Sequence, residues 1–314
     1  MAQNIDTKKA AQRFEKLLVA IDGSEISDYA LNLAIHIGEV FSSNLDLIFV
    51  RSSVSSAVAT PFYDPSSAGS VITSVTETHA SREDLRRSVS KDEALVEERK
   101  KLVQASGLQC EAITVESDDV GGEIIKLATR GGYGLVVVGS HGRSGLRSLI
   151  LGSVSKKVAK ESKTSVLVVK SKVDGLPKIL AAYDGSDEAK GALYSAAELG
   201  GKFQGEIDPV SVISIPITTE GVIVPDTISK WEREVSAYVS EALKILKECG
   251  IEKCKGKVID YPDIPKGLSQ EAEAGSYDLI VVGSRGYGRL KSLFWGSVAS
   301  GVADASKTNV LIVR

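Results

Sequence analysis

The sequence predicts an α/β protein with two doubly wound domains, each built on a five-stranded parallel sheet of the Rossmann-like type. Three observations lead to this fold class. Long blocks of the sequence occur twice, short runs rich in β-branched residues alternate with longer helical patterns, and the runs LVVV and LIVV are apolar on both faces. Parallel strands that are covered by helices on both sides have this composition.

The repeat is carried by two pairs of matching blocks. KLLVAIDGSE at 16–25 matches KILAAYDGSD at 178–187, at an offset of 162 residues. The block 135–170 matches the block 279–314 almost throughout, at an offset of 144 residues. The first copy therefore carries 18 additional residues between its two blocks. The Ser-, Pro- and Gly-rich stretch 52–74 predicts an irregular loop at this place.

The blocks also predict the domain organisation. A chain of 314 residues is long enough for two cores of about 150 residues each. We expect an N-terminal extension over 1–15, a first domain over 16–170, a linker over 171–177 and a second domain over 178–314.

The elements of the first domain are predicted in the order βαβαβαβαβ, and the second domain repeats it. The strands are LLVAI, LDLIFV, CEAITV, LVVV and SVLVVK, and the helices fall at 27–41, within the charged run 77–106, at 123–130 and at 153–162. Pro209 departs from the pattern, because it stands in the second strand of the second domain where the first domain has Leu47. Proline removes a ladder hydrogen bond, so we expect a bulge or a shortened strand there.

The composition argues against several classes of function. A formal net charge of −3 gives no surplus of Lys and Arg, so nucleic acid is not expected as a partner. The three cysteines form no CxxC pair and have no nearby histidines, which predicts neither a disulfide framework nor a metal site made by the protein alone. The N-terminal segment is polar and no apolar run approaches the roughly 20 residues that span a bilayer, so a cytoplasmic protein without membrane contact is expected.

An aspartate ends the first strand of each domain. These residues are Asp22 and Asp184, and Gly-Ser follows both. Ligands of open parallel sheets lie beyond the carboxyl ends of the strands, which makes the two carboxylates candidate binding residues. The alternative is that Asp-Gly-Ser only turns the chain and caps the next helix.

A glycine pattern, G-x2-G-x9-G-S, follows the fourth strand in both domains. It consists of Gly139, Gly142, Gly152 and Ser153 in the first copy, and of Gly283, Gly286, Gly296 and Ser297 in the second. Glycines let backbone N–H groups approach an anion, and the final Gly-Ser begins a predicted helix whose N-terminus favours phosphate. Four arginines add positive charge to these loops, or belong to ordinary solvated surface: Arg143, Arg147, Arg285 and Arg289. The pattern is neither a Walker A motif nor a Rossmann fingerprint.

The combination of DGSE, VVVGSHGRSGLRSLILGSVS and a terminal SVLVVK resembles the universal stress protein family, and specifically its ATP-binding branch, over nearly the whole chain. The resemblance implies two adenine nucleotide alpha hydrolase-like domains with strand order 3-2-1-4-5. It implies that Asp22 and Asp184 meet the adenine and ribose side of a nucleotide. Val50 and Val212 would offer backbone groups to the adenine edge, and the glycine pattern would hold the ribose and phosphates.

The implied ligand is ATP, with ADP or AMP as alternatives, and Mg²⁺ would arrive with the nucleotide. No catalytic residue is predicted, because His141, beside Ser140, is replaced by Arg285 in the second copy. The expected function is a nucleotide-dependent binding and signalling module of the stress response with at most slow hydrolysis. A true ATPase or phosphotransferase, and an interaction module whose glycine loops hold no nucleotide, stay open as alternatives.

The last strand of each domain is predicted to pair. SVLVVK and NVLIVR are apolar, and an uncovered strand of this kind favours pairing. In the universal stress family the last strands pair across a two-fold axis. The resemblance therefore implies an intramolecular pseudo-dimer of the two domains, and it leaves open a further homodimer of whole chains.

Overall fold

The computed structural model describes residues 10–52, 59–62, 72–75, 82–142, 151–214, 225–286 and 296–314. The first repeat contains β1 (Lys16–Ala20), α1 (Glu25–Phe41), β2 (Asn44–Arg51), β3 (Ala59–Phe62), β4 (Ile72–Val75), α2 (Arg82–Ala105), β5 (Ala112–Glu116), α3 (Val120–Arg130), β6 (Leu135–Gly139), α4 (Ser153–Glu161) and β7 (Ser165–Val169). The second contains β8 (Lys178–Ala182), α5 (Asp187–Phe203), β9 (Glu206–Ile213), α6 (Pro225–Glu248), β10 (Lys257–Asp260), α7 (Ile264–Ala274), β11 (Leu279–Gly283), α8 (Ser297–Ala305) and β12 (Asn309–Val313). None of the helices in these ranges combines the length and the hydropathy needed to cross a bilayer.

Ten of the described strands form one continuous sheet in the order β10-β9-β8-β11-β12-β7-β6-β1-β2-β5. Each half of the sheet has the strand order 3-2-1-4-5, which confirms the predicted doubly wound topology. Neighbouring strands within each half are parallel. At the centre β7 and β12 pair antiparallel, with Leu167 opposite Leu311. The last strands of the two repeats thus pair within the chain, as predicted.

Helices cover both faces of the sheet, and buried side chains form a core on each face. One core packs against α1, α2, α5 and α6 and includes Leu33 and Leu246. The other packs against α3, α4, α7 and α8 and includes Ile124 and Val302. All five residues of β7 and of β12 are buried between these layers. Burial on both faces explains why the central strands are continuous apolar runs in the sequence.

Pro209 does not produce the bulge or the shortened strand that the sequence predicts in β9. β9 runs unbroken for eight residues, as β2 does, and Pro209 pairs with Ala181 of β8. The missing N–H affects the neighbouring strand instead. Leu47 donates a hydrogen bond to the Glu111 carbonyl in the first repeat, and proline cannot make the equivalent bond. β10 accordingly has four residues where β5 has five.

The stretch 52–74 is not wholly the irregular loop that its composition predicts. β3 lies within this stretch and β4 ends one residue beyond it, and the two strands pair antiparallel, with Ala59 opposite Val75. The β-branched residues Ile72, Thr73 and Val75 favour an extended strand, and the surrounding serines and prolines obscure this signal. The remaining parts of the predicted loop, 53–58 and 63–71, lie outside the described residues.

In each repeat a buried aspartate near the amino end of the second strand accepts hydrogen bonds from two other segments of the same repeat. Asp46 accepts a hydrogen bond from the Tyr133 hydroxyl at 2.8 Å and another from a backbone N–H at 2.9 Å. Asp208 accepts the equivalent bonds from the Tyr277 hydroxyl at 2.6 Å and a backbone N–H at 2.7 Å. Burial, together with the adjacent carboxylate, raises the pKa of both tyrosines above the ordinary value. Both hydroxyls therefore stay protonated and act as donors at neutral pH.

Arg13 joins the two repeats from the segment that precedes β1. The residue is 8% exposed. Its guanidinium donates to Ser165 Oγ at 2.9 Å in the first repeat, and to Ser195 Oγ at 2.6 Å and the Arg314 carbonyl at 3.0 Å in the second. Burial lowers the pKa of Arg13 to about 10, so the side chain remains charged at neutral pH. A residue of the predicted N-terminal extension thus contributes to the contact between the repeats.

Candidate functional site

The carboxyl ends of β1, β2 and β6 enclose a cleft in the first repeat, here called the first cleft. All six residues that the sequence predicts for this repeat line it, namely Asp22, Val50, Gly139, Gly142, Gly152 and Ser153. Much of the remaining wall is apolar and includes Ile48, Val120, Ile124 and Val138. The first cleft combines an apolar wall with backbone amides and a carboxylate at a topological switch point, where ligands of doubly wound sheets bind.

Asp22 lies against the second glycine of the loop that follows β6. Its Oδ1 accepts the Ser24 N–H at 2.9 Å. A Cβ atom added to Gly142 would lie 2.4 Å from Asp22 Oδ2, which is closer than non-bonded atoms tolerate. Any larger residue at position 142 must therefore displace the carboxylate or the loop.

In the second repeat the equivalent six residues lie at the carboxyl ends of β8, β9 and β11 and at the start of α8, and this region is here called the second cleft. Asp184 Oδ1 accepts the Ser186 N–H at 3.0 Å, and a Cβ atom on Gly286 would lie 2.5 Å from Asp184 Oδ2. Ser186, like Ser24, also caps the helix that follows. The turn-and-cap role that the sequence leaves open is therefore real. It does not account for the contact between each carboxylate and its glycine loop.

Hydrogen bonds join the two ends of each glycine loop. The Gly152 N–H donates to the Ser140 carbonyl at 2.7 Å, and the Ser140 N–H donates to the Val169 carbonyl at 2.7 Å. The second repeat makes the same two bonds at 2.8 Å each. The last strand of each repeat thereby fixes the point at which its loop leaves the sheet.

The helices that follow the glycine loops begin without a side-chain cap. Gly152 precedes α4 and Gly296 precedes α8, and neither helix has a capping hydrogen bond from a side chain of its N-cap residue. The helices α1, α3, α5 and α7 are each capped by a serine or aspartate side chain. The first N–H groups of a helix have no partner within the helix. α4 and α8 therefore present donors, and the positive end of a helix dipole, to an anion.

Val50 turns its backbone polar groups towards the first cleft. In a parallel strand, residues two positions apart direct their N–H and C=O groups to the same neighbouring strand. The Ile48 carbonyl accepts the Ile21 N–H at 3.0 Å, just past the end of β1. β1 has ended before it could reach Val50, so the backbone of Val50 faces the space beyond it.

Val212 has the same orientation in the second repeat. The Val210 carbonyl accepts the Tyr183 N–H at 2.9 Å, as Ile48 does for Ile21. The neighbouring Pro209 leaves this register intact, since β9 pairs with β8 on both sides of it. The backbone of Val212 is therefore presented to the second cleft.

The two clefts differ at their rims. His141 lines the first cleft, and its Nδ1 lies 3.0 Å from Ser140 Oγ. At the equivalent position Arg285 Nε lies 3.7 Å from Glu188 Oε1, and Glu188 stands where the first repeat has Ile26. The second repeat thus carries an ion pair at the positions where the first repeat has an imidazole and an aliphatic side chain. This difference makes the two clefts chemically unequal.

Ser155 is a residue of the first cleft that the sequence pattern does not single out. Its hydroxyl donates to the Gly139 carbonyl at 2.6 Å and ties the first turn of α4 to the end of β6. The second repeat has Ala299 there. The glycine motif was recognised from residues that both copies share, so it could not reveal a contact that only the first copy makes.

Three of the predicted arginines lie outside the described residues: Arg143, Arg147 and Arg289.

The fold and the two clefts define a tandem protein of the doubly wound α/β class, with a glycine loop at the carboxyl end of the fourth strand in each half of the sheet. The sequence profile of the universal stress protein family matches residues 13–170 and matches again at residues 176–314. The chain therefore belongs to the universal stress protein family.

Individual relatives match one repeat or the whole chain. The universal stress protein YxiE of Bacillus subtilis is 35% identical over 158 residues, which cover 50% of this chain and 99% of that protein. A universal stress protein of Mycolicibacterium smegmatis is 25% identical over 314 residues, which cover 95% of this chain and 96% of that one. Among solved structures, a universal stress protein from Archaeoglobus fulgidus shares the fold with a TM-score of 0.67 and 22% identity, over 96% of both chains.

Proposed function

We propose that each repeat binds one adenine nucleotide in its cleft, and that ATP is preferred over ADP and AMP. The observation that carries this proposal is the uncapped first turn of α4 and of α8, reached by glycines next to a carboxylate in both repeats. Uncapped helix N-termini with glycine loops are a common way to bind phosphate groups. Membership of a stress-response family supports a regulatory use of this binding.

The chemistry of the first cleft suits the parts of a nucleotide in order. Its apolar wall can cover a flat purine ring, and the backbone N–H and C=O of Val50 can pair with the donor and acceptor groups of adenine. The carboxylate of Asp22 accepts hydrogen bonds, which are what ribose hydroxyls donate. Gly139 and Gly142 then lead to Gly152, where the helix donors favour phosphate.

The second cleft offers the same groups in the same order. Asp184 and Val212 face the adenosine side, and Gly283 and Gly286 lead to Gly296 at the start of α8. A longer phosphate tail reaches more of these donors, which is the reason for a preference for ATP. Mg²⁺ would then be held mainly by phosphate oxygens and water, as is usual for this ion.

The module binds and signals, with at most slow hydrolysis. Each aspartate lies at the end of the first strand and already accepts a backbone N–H of its own turn. In the proposed orientation these carboxylates face the ribose and lie far from the terminal phosphate, where a general base for hydrolysis must act. The assignment of a true ATPase therefore gains no support from Asp22 or Asp184.

Equilibrium dialysis of the purified protein with ATP, ADP and AMP tests the proposal. We expect two bound ATP molecules per chain, and one after either Gly142→Val or Gly286→Val, because the added side chain displaces the adjacent aspartate. Gly191→Val is the matched control, since no atom outside its own helix lies within 4 Å of a Cβ built there. This control should still bind two.

The same samples distinguish the alternatives. Failure of all three nucleotides to bind more tightly than millimolar would contradict the proposal and favour an interaction module. Sustained release of phosphate from ATP in the presence of Mg²⁺ would instead favour the ATPase.

A further inference from the structure

Each last strand ends in a cation that reaches into the other repeat. Lys170 follows β7 and Arg314 follows β12, at equivalent positions of the repeat. Lys170 Nζ donates to the carbonyls of Ala303 and Ser306, both at 2.5 Å, at the C-terminal end of α8. An Arg314 guanidinium nitrogen donates to the Ala159 carbonyl at the C-terminal end of α4. The two repeats therefore exchange capping cations across the β7–β12 seam.

The capped helices are the two that begin at the glycine loops. α4 and α8 have nine residues each, which makes each about 13 Å long. The N-terminus of each helix faces the cleft of its own repeat. Its C-terminus contacts the cation of the other repeat. Each cleft is thus connected to the opposite repeat by one short, rigid element.

A cation at the C-terminus of a helix favours an anion at its N-terminus for two reasons. It offsets the partial negative charge of the last carbonyls, and it holds the helix in one position. Lys170 and Arg314 are both partly buried, so salt screens them less than fully exposed charges. Loss of the cation would remove both the charge offset and the fixed position of the helix, and each change would weaken the binding of phosphate at the N-terminus.

We infer that Lys170 is a positioning residue of the second cleft and Arg314 a positioning residue of the first, each strengthening phosphate binding through the helix of the opposite repeat. The inference rests on the proposed function, because it concerns the affinity of those clefts for nucleotide. It makes each cleft dependent on a residue that is distant in sequence and belongs to the other repeat.

The two cations respond differently to pH. Burial lowers the pKa of Lys170 to about 8, against the opposing effect of Asp304 on α8, which itself pairs with Lys156 of α4 at 3.4 Å. The pKa of Arg314 is lowered to about 10 by burial and by the nearby Arg285. As the pH rises through about 8, the second cleft therefore loses its distant cation while the first cleft keeps its own.

The test measures ATP affinity in proteins that retain one cleft. Gly142→Val leaves the second cleft and Gly286→Val leaves the first. In the second-cleft protein we expect Lys170→Met to weaken ATP binding about twofold to fivefold, and Arg314→Met to have little effect. In the first-cleft protein we expect the reverse: Arg314→Met weakens ATP binding and Lys170→Met has little effect. Lys170→Arg should preserve the affinity of the second cleft and abolish its decline above pH 8.

The crossed pattern distinguishes this role from general stabilisation. Equal losses in both clefts, or no loss in either, would overturn the inference. If Lys170→Met does not fold, Lys170→Arg decides the matter, because a decline in affinity that persisted above pH 8 in that variant would refute a role for Lys170. Absence of ATP binding in both single-cleft proteins before any seam substitution would refute the proposed function, and the inference with it.

Discussion

Asp28 and Lys190 occupy equivalent positions in the two repeats and carry opposite charges. Arg99 of α2 binds both oxygens of Asp28, at 3.1 and 3.0 Å. Glu241 of α6 pairs with Lys190 at 3.0 Å. Each repeat therefore joins the same two helices with an ion pair of opposite polarity. A long helix that docked on the wrong repeat would bring like charges together, which disfavours that arrangement.

Reversing one charge of the first pair should destabilise the protein, and reversing both should restore it. We expect Arg99→Glu to lower the free energy of unfolding by about 1 kcal/mol, because a bidentate pair becomes a repulsion. Adding Asp28→Lys recreates the polarity of the second repeat and should recover most of the loss. Urea denaturation provides the measurement, with Lys101→Glu at a more exposed pair as the control. A double variant no more stable than Arg99→Glu would contradict this account.

The two buried tyrosine–aspartate contacts should contribute strongly to stability. Tyr133→Phe removes the donor to Asp46 and leaves part of a buried carboxylate unsatisfied, as Tyr277→Phe does for Asp208. Each should lower the free energy of unfolding by about 1 to 3 kcal/mol in chemical denaturation. Tyr29→Phe is a suitable control, because its hydroxyl bonds to Glu25 at an exposed position. Losses no larger than that of the control would show that these hydroxyls contribute little.

Restoring the missing N–H at position 209 should lengthen β10. In Pro209→Leu, which introduces the residue of the first repeat, the amide can donate to the Lys255 carbonyl as Leu47 donates to Glu111. We expect slow hydrogen exchange at amide 209 and a change in stability within about 1 kcal/mol. Protection measured at Leu47 in the same sample serves as the internal reference. Rapid exchange at 209 in a folded protein would count against the explanation given for the short β10.

The stability of the protein should carry a contribution from Lys170 that grows with pH. Its pKa is about 8 in the folded protein, whereas an unfolded lysine titrates near 10.4. Between these values the unfolded chain binds more protons, so the free energy of unfolding rises with pH over this range. The rise is on the order of 1 to 3 kcal/mol.

Comparison with Lys170→Met at pH 7.5 and pH 9.5 isolates this contribution from the other titrating groups. The difference in unfolding free energy between the two proteins should change with pH in favour of the wild type. If the two proteins instead changed in parallel, the lysine would be titrating normally in the folded state.

Much of the fold could be predicted because the determining signals are local or repeated. Apolar runs such as LVVV and the amphipathic helices carry their own periodicity, and the repetition confirms each element a second time. The pairing of β7 with β12 was predictable because both strands are apolar and because the last strands pair in the family that the sequence resembles. Asp22 and Gly142 could be placed at the same end of the sheet because both follow parallel strands, and the family resemblance assigned them to one site.

The features that could not be predicted depend on contacts between distant residues. The effect of Pro209 falls on β10, a strand about 50 residues away in the sequence. Arg13 gives no local sign that it is buried between Ser165 and Ser195. Ser155 acts in the first cleft through a single hydrogen bond that the second repeat lacks. In each case the feature depends on a contact between residues that are distant in the sequence, and neither the periodicity of an element nor the repeat of the sequence reveals such a contact.

The antiparallel pairing of Leu167 with Leu311 has a genetic consequence. Separate genes for the two halves would yield mixtures of like and unlike pairs, in proportions set by expression. A single polypeptide instead contains one first cleft, with His141, and one second cleft, with Arg285, so the two are always present in equal numbers. Mutations can therefore specialise either half without creating a population of mismatched partners.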